Sequence, residues 1–253
     1  MKNSLSIPVV LAALSCATLA EASTLSFDAL KVTITAVGTA AWGEVDMTRS
    51  TDLPSGAAWQ AGTAITELPT AEFGIDNGPD RDLDPCRFAC SPFYGGVYEV
   101  EATYSGEDVG ALGPLGWETT PFWTVFAPTD VPEGSRNEAV LKFGSTRSVL
   151  SLLWGSPDND NLVEFLLGDA VVGTFWGADF LSFSDFEIVK HPGQGAVHVS
   201  FSGIDFDAVR FSAYMGGGSF EFSNVVAPVP LPAGALLLLT GLGALAAARR
   251  ARD

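Results

Sequence analysis

The chain has 253 residues, of which 30 are Asp or Glu and 13 are Lys or Arg, giving a formal net charge of −17 at pH 7. A field of that sign makes nucleic acid and anionic membrane surfaces poor partners and suits a protein kept apart from its neighbours in solution. Hydrophobic residues make up 47% of the chain, so length and composition together allow one or two domains with a sizeable core.

At the N-terminus, Lys2 precedes an apolar run from Leu5 to Leu19, and the run ends in Ala20-Glu21-Ala22. A positive charge, a short apolar core and an A-x-A cut site are the three parts of a secretory signal peptide. Residues 1–22 are therefore predicted to be a leader, cut between Ala22 and Ser23. The run falls short of the roughly 20 apolar residues that a membrane span needs. Cys16 leaves with the leader.

Residues 23–227 are predicted to be the folded part. With both end segments set aside they hold 9 basic and 28 acidic residues, a net charge of −19. Their periodicity is that of strands. In "LKVTITA" Leu30, Val32, Ile34 and Ala36 alternate with Lys31, Thr33 and Thr35, which buries one face and wets the other. "YEVEATY" repeats the pattern with Tyr98, Val100 and Ala102, and "AVHVSFSG" with Val197, Val199 and Phe201, leaving His198 on the wet side. Further runs lie at 139–143, 148–154, 162–167, 171–175, 208–214 and 219–225. Short strands separated by Gly, Pro, Asn and Asp predict an all-β fold, an antiparallel β-sandwich or jelly-roll-like arrangement.

Two stretches stand outside the strand pattern. "GIDNGPDRDLDPCRFAC", 74–90, is turn-forming and acidic. Asp76, Asn77, Asp80, Asp82 and Asp84 could converge oxygens on calcium; an acidic surface turn is the favoured alternative. Cys86 and Cys90 would meet an oxidising compartment after export, so a local disulfide is expected over a metal half-site, because neither His191 nor His198 has ligand spacing. The second stretch, about 105–137, is rich in Gly and Pro and is expected to be a long loop. It holds Trp117 and Trp123, candidates to stack on a sugar face, whereas Trp154 and Trp176 are expected in the core. Asp158, Asn159, Asp160 and Asn161 fit an Asx-type hairpin turn better than a ligand set.

No catalytic residue is assigned. A G-x-S-x-G elbow and a phosphate-cradling glycine loop followed by Lys are absent from the sequence, and in a chain this acidic a glycosidase pair cannot be singled out. The chain is not expected to be an enzyme.

The C-terminus, 228–253, carries "VPLPA" at Val229, Pro230, Leu231, Pro232 and Ala233. Residues 231–248 hold no charge, and as a helix of about 27 Å they would just cross a hydrocarbon core. Arg249, Arg250 and Arg252 follow, which places that end in the cytoplasm by the positive-inside rule. A proline-bearing motif, one span and a terminal arginine cluster resemble the PEP-CTERM sorting signals, in the VPLPA-CTERM spelling. The resemblance implies cleavage near the motif by a membrane-embedded exosortase-type enzyme, a transient single-pass form in the inner membrane, and a final place at the cell surface or outside it. "SLLWGSPDNDNLVEFL", "VVGTFWGADF" and "DFDAVRFSAYMGGGSFEFSNV" are similar to a family of exosortase-dependent surface proteins whose domain closes on a Phe-Glu-Phe-Asp-Asn type strand. Here Ser223 replaces the aspartate. The expected function is that of a structural or adhesive surface or matrix protein beside extracellular polysaccharide. A carbohydrate-binding module and a calcium-binding surface protein are the alternatives.

Overall fold

The computed structural model describes residues 23–37, 44–69, 120–128, 131–155, 157–183, 196–214 and 218–230, together with Arg249. The leader, the 98–104 run, the Asp76–Asp84 and Cys86–Cys90 candidates, Trp117, His191, the 231–248 span, Arg250 and Arg252 lie outside the described residues.

Among the described residues the protein is all-β, and every strand pair is antiparallel. The strands are β1 (Ser23–Phe27), β2 (Leu30–Val37), β3 (Ala57–Trp59), β4 (Thr66–Pro69), β5 (Pro121–Val125), β6 (Arg136–Gly155), β7 (Asn161–Leu167), β8 (Ala170–Trp176), β9 (Ala196–Tyr214) and β10 (Phe220–Val226). Alternation explains them locally. On β2, Leu30, Val32 and Ile34 are buried, and on β9 Val197, Val199 and Phe201 are buried between half-buried His198 and Ser200.

Two long strands organise the whole. β6 and β9 pair along most of their 20 and 19 residues and belong to two limbs of one sheet. The first limb runs β1-β2-β9-β6-β10-β5-β4 and uses the first half of β9 with the second half of β6. The second limb runs β8-β7-β9-β6-β3 and uses the opposite halves. Between them the register breaks twice, from Lys142↔Ala208 to Arg147↔Phe206 and then to Val149↔Ser202. Extra residues on one strand and then on the other bend the pair, as bulges do. Gly203 sits in this bend at φ +92°, and a side chain there would meet the Ala29 carbonyl 2.4 Å from its Cβ. Both the backbone and the space demand glycine. Arg147 is buried at the same bend, donating to the Ser55 carbonyl at 2.6 Å and to Ser145 Oγ at 3.1 Å.

The bend brings the limbs face to face across aromatic rings. Phe211 of β9 stacks on Phe222 of β10 at 4.4 Å, and Phe165 of β7 meets Phe201 of β9 at 5.3 Å. Trp154 of β6 stacks on Phe220 at 4.3 Å and reaches Phe175 of β8 at 6.2 Å. All seven rings are fully buried. Each contributes about 2–3 kcal/mol through burial, and favourable ring pairs add about 0.5–1.5 kcal/mol.

The expected loop at 105–137 is partly strand. Residues 121–125 form β5, paired with β4 on one side and β10 on the other, and Arg136 opens β6. Proline at the first position of a strand is tolerated, and Phe122 and Val125 are buried, so the Gly/Pro composition around this short run hid it. Trp123 is therefore a strand residue, packed edge-on against Trp59 at 5.5 Å. Its Nε1 is buried with no partner among the described residues, which is the setting of a packing residue and not of a displayed indole. Trp154 is in the core as expected, but Trp176, also expected there, is 36% exposed. It points away from the core because Phe175 takes the inward position.

Candidate functional site

The end of β10 is one place where polar groups converge. The register slips between Ser223 and Val226, and Asn224 takes φ 51°, a conformation that asparagine tolerates better than most residues. Its N–H donates to the Ser50 carbonyl at 2.7 Å, its Nδ2 donates to the Asp46 carbonyl at 2.6 Å, and its Oδ1 accepts from Ser223 Oγ at 3.0 Å. The closing motif thus clamps the segment around Asp46. Ser223 is a buried hydroxyl committed to that clamp.

Asp46 in turn caps the short 3-10 turn Met47–Arg49, its Oδ1 accepting from Thr48 Oγ1 at 2.6 Å and Thr48 N at 3.0 Å. Those two bonds hold its carboxyl below the usual range. Arg49 pairs with Asp52 at 2.8 Å on the surface. Between this segment, β9 and the end of β10 lies a cavity of about 440 Å³, lined by Asp46, Arg49, His198, Asn224 and Val229 among others. His198 shares a hydrogen bond through Nδ1 with Thr35 Oγ1. Burial depresses its pKa, and nearby Glu44 opposes the shift. Val225 and Ala227 are the last buried apolar residues of the chain's described part, and Val229, the first residue of the VPLPA motif, is exposed.

The Asp158–Asn161 segment is a turn closed by the Asn161 N–H donating to the Asp158 carbonyl at 3.0 Å, but it joins β6 to β7, which do not pair, so it is not the Asx-type hairpin turn expected from the sequence. Asn161 is buried, its Oδ1 accepts from Asp158 N at 3.3 Å, and its Nδ2 donates to the carbonyls of Gly218 at 3.1 Å and Ser219 at 3.4 Å. Asp158 packs against Gly218 so closely that a Cβ there would overlap its carboxylate. Burial first, and the charge of Asp160 second, push its carboxyl up to about 6. No group of three or more His, Cys, Asp or Glu side chains among the described residues is placed to hold a metal ion.

A third cluster was not singled out in the sequence. The outer face of the second limb carries two aligned rows. Glu138, Ser212, Leu162 and Trp176 are in register across β6, β9, β7 and β8, and Val140, Arg210, Glu164 and Thr174 form the row beside it. Arg136 pairs with Tyr214 at the end of the face. Arg136 Nε lies 3.2 Å from Glu138 Oε2, and its Nη1 lies 3.2 Å from Glu164 Oε2 and donates to Tyr214 Oη at 2.8 Å. Arg210 Nη1 reaches Glu164 Oε2 at 3.1 Å. The rings of Trp176 and Tyr214 are 5.4 Å apart and tilted by 39°. The available signal was period-two alternation read on four strands at once. It needs the register to become visible, because Glu138, Glu164 and Arg210 come from three strands far apart in sequence.

The chain matches no protein-family model, no curated protein and no solved structure.

Proposed function

We propose that the chain is an exported protein, processed by an exosortase-type membrane enzyme and delivered to the cell surface or the extracellular matrix, where it serves a structural or adhesive role without catalysis. Its folded part is an antiparallel β-sandwich of jelly-roll-like form, the two limbs being its layers and the bent β6–β9 pair its shared edge. One observation supports the reading most directly: the chain leaves the core just before the VPLPA motif. Ala227 is the last buried residue among the described residues, and Val229 is 51% exposed one residue beyond Pro228. A processing enzyme arriving at Val229 would meet accessible chain and leave the core intact. The Asn224 clamp holds the strand just upstream of the cut, so β10 need not fray when the tail is lost.

The test is intact mass of the protein from producing cells, by fraction, with and without the processing enzyme. Cells that have the enzyme should yield a chain beginning at Ser23 and ending between Val229 and Ala233 at the surface or in the medium. Cells without it should hold a chain ending at Asp253 in the membrane fraction. A chain that keeps Arg249–Asp253 in both backgrounds would overturn the reading.

A further inference from the structure

We infer that the outer face of the second limb is a binding platform for a neutral polysaccharide, with Trp176 and Tyr214 as the stacking surface and the Arg136–Glu138–Glu164–Arg210 network as its polar floor. This deepens the adhesive part of the proposed function and relies on that reading only for its setting outside the cell.

Three observations converge on it. First, Trp176 is the exposed indole of the described residues, at 36%, and its ring is tilted by 39° against Tyr214. Adjoining rings of this kind offer apolar faces to the C–H faces of consecutive pyranose units, while the polar ring edges stay wet. Second, the polar groups beside the rings are already oriented. Glu164 Oε2 is held by both arginines, at 3.2 and 3.1 Å, and Tyr214 Oη by Arg136 at 2.8 Å, so little side-chain freedom remains to be lost on binding.

Third, the overall charge argues against an anionic ligand. The face carries Arg136, Arg210 and Lys142 against Glu138 and Glu164, on a chain of net charge −17. An anionic polymer would approach against the overall field. A sugar bearing only hydroxyls can donate to the carboxylates and accept from the guanidiniums at once. The site differs from the Trp117 and Trp123 pair considered from sequence, since Trp123 packs inward.

The experiment is affinity electrophoresis of the full-length chain, purified in detergent, through gels containing dextran, galactomannan or mixed-linkage β-glucan, with alginate as the anionic probe. At least one neutral polymer should retard the native chain, and alginate should not. Trp176→Ala should weaken retardation about tenfold, Trp176→Phe should restore part of it, and Val226→Ser, an exposed apolar change on β10, should leave it unaltered. The melting temperature of each variant separates lost binding from lost fold. The inference is overturned by failure to bind every neutral polymer, by binding to alginate alone, by equal binding of a folded Trp176→Ala, or by a Trp176-dependent dimer at working concentration. The purified chain is used whatever its C-terminus, so failure here leaves the processing reading standing, and failure of processing leaves this result interpretable.

Discussion

Along β6, β7, β8 and β9 the two faces of the second limb differ in kind. Inward, Val163, Phe165, Phe175, Val209, Phe211 and Ala213 are fully buried and wholly apolar. Outward, Glu164, Arg210, Ser212 and Tyr214 occupy the alternate positions on β7 and β9, and two of these, Glu164 and Ser212, are buried as well. Burial alone therefore does not distinguish the faces. What separates them is directionality. Inner contacts depend on shape and area, so each lost ring costs its full transfer and cavity terms. Outer contacts are ion pairs and hydrogen bonds whose net worth is small after desolvation, but whose geometry is specific. Stability resides inside the limb, and recognition is available outside it.

The contrast can be broken most sharply at Phe211. Phe211→Ala removes a fully buried ring stacked on Phe222 and should cost about 3–5 kcal/mol in denaturant unfolding. A loss below about 1 kcal/mol would mean that the limbs do not pack through this pair.

Asp158 sharpens the comparison, because it is a charge placed by burial without a cation to offset it. Its carboxyl would ionise at 3.8 in the unfolded chain and ionises at about 6 in the fold. Its contribution to stability is therefore fully present below pH 3.8 and is lost as the pH rises through 6. Asp158→Asn should match the parent chain near pH 4 and exceed it by about 1–3 kcal/mol above pH 7, read from melting or urea curves across that range. Constant superiority at every pH would assign the effect to packing. His198 works in the opposite sense. Its lowered pKa favours the neutral ring in the fold, so its contribution is present above its ordinary value of 6.5 and fades as the pH falls below it. Comparing the variant with its parent at each pH cancels that term.

The smallest effect is expected on the outer face. Glu164→Gln keeps the shape but removes the buried carboxylate shared by Arg136 and Arg210, at a cost of about 1–2 kcal/mol. A loss as large as that of Phe211→Ala would abolish the distinction between the faces.

Much of the sheet was legible in advance. Runs at 139–143, 148–154, 162–167, 171–175 and 208–214 all fall within strands, and 219–225 covers β10 from one residue before its start. What could not be read was that 139–143 and 148–154 are one bent strand, or that 208–214 continues the strand holding Val197 and Val199. Residues such as Ser145 and Asp205 at the bend look like turn formers, and only a partner strand with compensating bulges keeps the chain extended through them. β5 was hidden for a related reason, since its five residues sit among Gly and Pro and are strand because β4 and β10 flank them.

Alternation at period two, by itself, determined that the described part of the chain is all-β and which side chains face inward on β2 and the first half of β9, because the pleat sends successive residues to opposite sides whatever lies beyond. The closing of the 158–161 turn was determined equally locally, since the Asn161 N–H and side-chain oxygen both bond the backbone of Asp158. Tertiary structure alone decided that Trp123 packs and Trp176 is displayed, that Asn224 clamps a segment 178 residues away, and that two arginines, two glutamates and two rings share one outer face. Those outcomes depend on strand register across four chains of residues distant in sequence, and register is set by the packing of the whole core.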